Sequence, residues 1–469
     1  MNRLRNLSLC LMLLVSTIAM AQTGTADTVA QTPIAVTGMS AQSFFRGLLG
    51  IVSILLIAIA FSKNRKAIDW KTVGIGLAIQ IVLAVGVLYV PLVKSFFEIV
   101  AQFFVKVMDF TAAGSNFLFG GLLDTSKLGY LFVFQVLPTI IFFSALTSLL
   151  YYLNVIQVVV VGIAWLLKKA FGLSGAEGLT VAGNIFLGQT EAPLLVKRYL
   201  SNMNRSEIFL VMSAGMATIA GAVLTAYVGL LGGDDPVARL TYAKYLISAS
   251  VMAAPGVIVI AKIIYPQTES VNTDLKVDSD SVGTNVLDAI SNGTVEGVKV
   301  AVNVGAMLLV FIAMMAMLDH ILGGVIGHYT GLNDLVASAT DGKYTMLNFQ
   351  FLMGMIFTPI AWLMGVAQED MVAIGGLLGT KVMINEFVAY NDLAILKSAS
   401  GFVYEKSVIM ATFLLCGFAN ISSIGIQIGG ISILAPNQRQ VLTQLGFLAL
   451  ICGTLASCMS ATIVGMILG

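Results

Sequence analysis

Charged side chains are scarce in this sequence of 469 residues. They make up 10% of it, whereas a soluble globular chain carries roughly a quarter. That is too few to cover a water-facing surface, so the composition excludes an ordinary soluble domain. The formal net charge of +1 gives no sign of a polyanionic partner, and we expect no nucleic acid to bind.

Residues that hold metals or carry redox chemistry are also rare. The two histidines, His320 and His328, lie at the end of an apolar run and in the loop after it, where a loop or interface role is favoured over a proton relay. The cysteines, one in the leader and three in apolar runs, lack metal-ligand spacing; they are Cys10, Cys416, Cys452 and Cys458. Without a His/Cys cluster for a metal or quinone, we expect no enzymatic activity.

Apolar residues are abundant instead, at 58% of the chain. Several apolar runs reach the roughly 20 residues needed to cross the hydrocarbon core of a bilayer. The sequence therefore predicts an all-α polytopic membrane protein with about eight spans.

The first 21 residues have the pattern of a secretory signal peptide. A basic region, MNRLRN, precedes an apolar stretch, and the small residues A-M-A stand before Gln22. An uncleaved extra span is the alternative, although the apolar stretch is short for one. The polar segment 22–43 is then expected in the periplasm, and the protein in a bacterial inner membrane.

Positive charges set the predicted topology. The cluster SKNRK at 62–66 follows the first span, and basic loops stay in the cytoplasm. Residues 94–110, with charges among aromatics, predict a helix lying in the interface, and the apolar stretch at 130–169 is expected to turn near Asn154.

The chain is predicted to divide into five units after the polar segment. They are scaffold spans and interfacial helices (44–170), a first hairpin with two spans (171–265), a cytoplasmic loop (266–299), a span with an interfacial helix (300–368), and a second hairpin with the last two spans (369–469).

Two segments are apolar at both ends but polar in the middle. Residues 172–200 have a polar centre around Glu191, and residues 369–396 have one at Asn385 and Glu386. Each is predicted to be a re-entrant hairpin of two half-helices, entered from opposite faces as an inverted repeat. Paired interruptions of this kind point to a transporter with its binding site near the membrane midplane.

The two acidic residues at these breaks, Glu191 and Glu386, are costly at bilayer depth and are therefore expected to be functional. The alternative is a protonated glutamate that only donates a hydrogen bond. Lys381 is close enough in sequence to pair with Glu386, although it could also reach away along its helix. The other polar residues nearby are neutral, so a phosphate or carboxylate substrate is disfavoured. Sugars, nucleosides and small neutral amides all remain candidates on this evidence, with a small cation at the half-helix ends.

Three motifs narrow the choice among these candidate substrates. They are GNIFLGQTEAPLL at 183–195, KVMINEFVAY at 381–390 and GFANISSIGIQIGG at 417–430, and they resemble the signature segments of the concentrative nucleoside transporter family, bacterial sodium-coupled type. The resemblance covers nearly the whole chain after the leader. It implies a homotrimer that imports nucleosides together with sodium by alternating access. A proton-coupled carrier of nucleosides or of another neutral polar solute is the alternative.

The same resemblance implies the binding residues. The first hairpin tip would contact the base, Glu386 would accept bonds from the ribose hydroxyls, and further residues would complete the site; the full set is Gln189, Thr190, Glu191, Val223, Glu386, Phe418, Asn420 and Ser423. The co-transported sodium ion would be held by the side chains of Asn184 and Thr218 and by the carbonyls of Leu187 and Ile219.

Overall fold

The computed structural model of the protein describes residues 33–124, 131–272, 283–340, 342 and 344–469. The predicted signal peptide lies outside them. In the first half the longer helices are α1 (Ala41–Ala60), α2 (Trp70–Tyr89), α3 (Pro91–Phe119), α4 (Leu137–Tyr152), α5 (Val155–Phe171), α6 (Gly175–Gly183), α7 (Arg205–Ala217), α8 (Gly221–Gly232) and α9 (Pro236–Ile264). In the second half they are α10 (Val286–Asp319), α11 (Leu332–Ala339), α12 (Phe349–Leu363), α13 (Met371–Met383), α14 (Glu386–Ser398), α15 (Glu405–Leu415), α16 (Ile421–Leu434) and α17 (Arg439–Leu468).

Seven helical stretches among the described residues are long and apolar enough to cross a membrane. They are Ala41–Ala60, Trp70–Tyr89, Phe132–Tyr152, Arg205–Gly232, Pro236–Ile264, Val286–Thr330 and Pro436–Leu468. The remaining predicted span is present as two shorter helices, α15 and α16, because it is broken where the sequence FANISS predicts. A polytopic helical membrane fold is thus confirmed.

The centre of the fold is formed by α9, whose most apolar stretch is 94% buried. The corresponding stretch of α10 is only 6% buried, so α10 lies on the outside. Its inner edge packs along α4, where a Cβ at Gly293 would lie 2.5 Å from the Cβ of Ser148. Only a glycine allows that close approach.

The predicted turn near Asn154 is confirmed. Asn154 has a left-handed backbone with φ of 58° and separates α4 from α5. Asparagine tolerates this conformation better than other non-glycine residues. The first helix thus ends there, and one long apolar stretch becomes two helices.

Three expectations about elements need correction. The predicted cytoplasmic loop 266–299 is too long, because α10 begins at Val286 with Asn285 as its cap. The predicted interfacial helix is also longer, since α3 covers 29 residues. Finally, the fourth span was expected to be continuous, yet it is interrupted between α7 and α8 at residues 218–220.

Both predicted hairpins are helix–break–helix units. In the first, α6 begins with a capping box in which Ser174 and Glu177 bond each other's backbone N–H groups. It ends at Gly183, and a short 3₁₀ helix, Ala192–Val196, resumes the chain after the polar tip. In the second, Asn385 caps α14 by accepting from the Val388 N–H at 2.9 Å. In the second hairpin a polar cap thus starts the new helix at the break, whereas the 3₁₀ helix after the first hairpin tip has no side-chain cap.

The membrane orientation of the first hairpin can be tested by labelling its flanking residues. We expect Arg198 in the cytoplasm and Asp234 in the periplasm, because the basic ends of the first hairpin belong inside. Single Arg198→Cys and Asp234→Cys variants should react with an impermeant thiol reagent from opposite sides of the membrane. The three described cysteines are buried, so the background is low. Labelling of both positions from one side would contradict the hairpin topology of residues 172–200.

Candidate binding site at the helix breaks

The four helix breaks meet around one cavity of about 410 Å³. They are residues 184–191 in the first hairpin, 218–220 between α7 and α8, 384–385 in the second hairpin, and 416–420 between α15 and α16. All eight residues predicted to bind the solute line this cavity: Gln189, Thr190, Glu191, Val223, Glu386, Phe418, Asn420 and Ser423. The structure thus brings together residues that lie up to 234 positions apart.

Glu386 is the first residue of α14 and is only 4% exposed. Asn420 donates to its Oε2 at 2.7 Å, and the Tyr227 hydroxyl donates to its Oε1 at 3.3 Å. The positive end of the helix dipole adds to the stabilisation of a carboxylate at a helix N-terminus. Each oxygen keeps a further lone pair for a ligand.

Lys381 does not pair with this carboxylate. Its ammonium donates to the carbonyl of Leu414 at 2.8 Å and to the hydroxyl of Ser457 at 3.1 Å. Because Leu414 lies in the last turn of α15, the cation sits at the negative end of that half-helix. Of the two arrangements that the sequence allowed, the structure has the one in which Lys381 reaches away.

The orientation of Asn420 is fixed by its role as the cap of α16. Its Oδ1 accepts from the Ser423 N–H at 2.8 Å and from the Ser422 hydroxyl at 2.7 Å. The amide nitrogen is therefore turned the other way, toward Glu386. One asparagine thus links the break before α16 to the break before α14.

The tip of the first hairpin folds back on itself. The Glu191 carboxylate accepts from the Gly188 N–H at 3.0 Å, while its remaining surface is exposed to the cavity. Gln189 is buried and donates to the Ser423 hydroxyl at 3.2 Å. Its oxygen accepts from Gln427 at 3.1 Å. The amide of Gln189 and the carboxylate of Glu386 therefore line one cavity.

A second cavity, of about 290 Å³, adjoins the first. The two share Ser144, Glu191, Ala220 and Ala222 as lining residues. The second also reaches Lys197, at the basic end of the first hairpin. Together the two cavities extend from the helix breaks toward that end.

The predicted cation ligands lie on two of the breaks. Asn184 is fully buried, and its Oδ1 has no partner among the described residues, while its Nδ2 donates to the Thr180 carbonyl at 2.9 Å. The buried Thr218 hydroxyl donates to the Ala214 carbonyl at 2.9 Å, which leaves its oxygen free to bind a cation. A buried amide oxygen without a partner costs free energy, and a sodium ion would supply that partner.

Backbone bonds tie the break at 218–220 to two of the other breaks, 184–191 and 416–420. The Gly221 N–H donates to the Phe186 carbonyl at 3.0 Å, and the Phe418 N–H donates to the Thr218 carbonyl at 3.2 Å. Irregular backbone leaves carbonyls out of the helical ladder, which suits an oxygen-liganded cation. Leu187 lies in the irregular segment 184–191, and Ile219 lies in the irregular segment 218–220.

Three residues of the site were missed from the sequence. Asn303 on α10 lines the cavity, Tyr227 supports Glu386, and Gln427 supports Gln189. Asn303 and Gln427 are lone polar residues within apolar spans, a signal that marks functional positions in membranes. Tyr227 gives no such signal, because an aromatic residue in a span is ordinary.

Apolar spans interrupted at four places around a polar cavity define a secondary membrane transporter. The family models agree with this class. Residues 245–465 match the model described as "Na+ dependent nucleoside transporter C-terminus", residues 49–122 match its N-terminal counterpart, and residues 133–234 match a model described as "Nucleoside recognition".

The chain belongs to the concentrative, Na⁺-dependent nucleoside transporter family, which is a family of transporters rather than of enzymes. It is 44% identical to an uncharacterized transporter of Haemophilus influenzae, over 91% of this chain and 98% of that protein. It is 37% identical to the nucleoside permease NupC of Helicobacter pylori, over 90% and 97% of the two chains. The structure of CNTnw in an inward-facing substrate-bound state superposes with a TM-score of 0.81 at 39% identity, covering 91% of this chain and 99% of that one.

Proposed function

We propose that this protein imports nucleosides across the bacterial inner membrane in symport with sodium, by alternating access. The observation that carries the proposal is the pairing of a buried carboxylate, Glu386, with an amide, Gln189, across one cavity. No Arg or Lys is among the described residues that line this cavity. The site therefore suits a neutral ligand with hydroxyls at one end and hydrogen-bonding ring atoms at the other.

The ribose would bind at Glu386. A carboxylate can accept from two adjacent hydroxyls, and each oxygen of Glu386 already has one neutral donor, Asn420 or Tyr227. These donors keep the carboxylate oriented and satisfied between transport events. Ser423 would complete the sugar end of the site.

The base would bind at the first hairpin tip. Gln189, Thr190 and Glu191 supply both donors and acceptors there, while Val223 and Phe418 provide apolar surface in the same cavity. A base edge offers both donors and acceptors, so a mixed set of partners suits it.

Sodium would travel as the second cargo, at Asn184, Leu187, Thr218 and Ile219. The partnerless Oδ1 of Asn184 supports this site. Because residues 184–191 include both Asn184 and the base-binding tip, an ion at Asn184 would fix the tip in the shape that holds the base. Ion and nucleoside then favour each other's binding.

The two hairpins would act as re-entrant gates on opposite faces of the membrane. The second cavity beside Glu191 and Lys197 supports a release path toward the cytoplasm. The exposed outer face of α10 is free to contact lipid or neighbouring copies, which supports a homotrimer in which α10 takes part in the contact.

A counterflow assay tests the proposed substrate class. Proteoliposomes loaded with unlabelled nucleoside in sodium medium should take up labelled uridine transiently, and several nucleosides should serve as the internal partner. Free ribose and uridine monophosphate should not, because the first lacks a base and the second brings a phosphate to a site without cations. Exchange with the nucleotide but with no nucleoside would contradict the proposal.

A further inference from the structure

Gln427 is a buried amide that the proposed function leaves unused. It lies in the middle of α16, is fully buried, and has the apolar neighbours Ile426 and Ile428. Its own Oε1 has no partner among the described residues. Burying an amide that is only partly bonded costs free energy, so a leucine would be the more stable choice at this position. A functional reason for Gln427 must therefore lie in the hydrogen bonds of its amide nitrogen.

The nitrogen of Gln427 bonds two acceptors at once. It donates to the backbone carbonyl of Met212 on α7 at 3.0 Å and to Oε1 of Gln189 at 3.1 Å. A backbone carbonyl can only accept, so the end of Gln427 that faces Met212 has to be the NH₂ group. The carbonyl of Met212 thus fixes which way the Gln427 amide is turned.

The orientation of the Gln189 amide follows in turn from that of Gln427. Because it faces the NH₂ group of Gln427, Gln189 must present its oxygen on that side. Its own NH₂ group is then turned toward Ser423, to which one N–H donates at 3.2 Å. An amide nitrogen carries two hydrogens, so one N–H of Gln189 remains for a ligand in the cavity.

Space for the two amides comes from Gly215, one turn along α7 from Met212. A Cβ at this position would lie 2.6 Å from the Gln427 nitrogen and 2.9 Å from Cβ of Gln189. Any side chain there would displace one of the two glutamines. The fold thus accommodates the amide pair at a helix contact that is otherwise closely packed.

We propose that Gln427 is a positioning residue that fixes the amide of Gln189 as a hydrogen-bond donor toward the base, and so selects bases that present a carbonyl there. This inference rests on the proposed function. Uridine and cytidine share their ribose and differ only where uracil has a carbonyl and an N–H while cytosine has an amino group and an acceptor nitrogen. A donor fixed by Gln427 favours the uracil carbonyl and opposes the cytosine amino group.

The test compares uridine and cytidine transport in four variants. In Gln427→Leu the Gln189 amide can turn over, so the uridine-to-cytidine ratio of kcat/KM should fall by about tenfold, the value of one hydrogen bond. The ratio of uridine to 3′-deoxyuridine should not change. In a Gln189→Leu background, adding Gln427→Leu should leave the base ratio unaltered, because Gln427 acts only through Gln189.

Gln80→Leu is the matched control. Gln80 is also a fully buried amide, donates to the Met252 carbonyl at 3.0 Å and has a partnerless Oε1, but it does not line the cavity. This variant should keep the wild-type base ratio.

Three results would overturn the inference. They are equal transport of uridine and cytidine by the wild type, an unchanged ratio in Gln427→Leu, and an equal fall of the ratio in Gln80→Leu. Failure of the wild type to transport any nucleoside would instead contradict the proposed function itself, and the wild-type arm reveals it before any variant is compared.

Discussion

Replacing Glu386 with glutamine should lower nucleoside uptake by more than about 100-fold, because one of two charge-assisted hydrogen bonds to ribose, at roughly 1.5–3 kcal/mol each, would be lost and the other would no longer be charge-assisted. An amide cannot accept at both of its ends. Its NH₂ group would also face either the Asn420 amide nitrogen or the Tyr227 hydroxyl, both of which donate to Glu386 in the present arrangement. We expect the variant to fold and insert, since the substitution changes neither size nor backbone.

Initial rates of labelled uridine uptake, normalised to the amount of protein in the membrane, measure this effect. Glu269→Gln is a suitable control, because Glu269 is exposed, lies in the loop after α9 and is remote from the cavity lining. Nucleosides without the 3′-hydroxyl should be weak substrates of the wild type for the same reason. Near-normal uptake by Glu386→Gln would remove Glu386 from the site.

Combining Asn184→Ala with Thr218→Ala should raise the sodium concentration for half-maximal uptake by more than about tenfold. Two of four oxygen ligands would be lost, each of them worth roughly 1 kcal/mol or more for a buried group. If sodium orders the first hairpin tip, uridine should bind poorly to the wild type at low sodium. It should bind poorly to the double variant at all sodium concentrations.

The matched control is Thr412→Ala. Thr412 is fully buried and donates to the carbonyl four residues earlier at 2.9 Å, as Thr218 does, but it lies within α15 and not at a break. Uridine binding to purified protein is compared in sodium and in choline medium. Equal affinity in both salts, with uptake driven by a proton gradient, would refute the sodium site and leave nucleoside binding intact.

The sequence predicted the breaks that carry polar residues. Asn385 and Asn420 stand between apolar stretches, and each caps the next helix in the structure. A polar cap inside an apolar stretch has few uses other than to begin a new half-helix, so these two breaks are predictable from the sequence. Asn154 was predictable on similar grounds, as a residue that accepts a left-handed backbone.

The break at residues 218–220 could not be predicted. Its sequence, Thr-Ile-Ala, contains no proline and no charged residue, so helix propensity alone would continue the span. Tertiary contacts replace backbone hydrogen bonds that the helix loses at this break, since the Gly221 N–H donates to the Phe186 carbonyl and the Phe418 N–H donates to the Thr218 carbonyl. The start of α10 was missed for a related reason, because residues 286–299 include three charged residues and resemble a loop by composition.

The measurement that tests sodium-coupled nucleoside symport most directly is the steady-state accumulation of uridine in proteoliposomes at a set membrane potential. One sodium ion moving through 100 mV, negative inside, gains about 2.3 kcal/mol. At about 1.4 kcal/mol for each factor of ten, this supports roughly a fortyfold accumulation of a neutral nucleoside. We predict accumulation of this order with equal sodium on both sides, and none when choline replaces sodium. Accumulation that persists in choline, or that never exceeds the external concentration in sodium, would contradict the account.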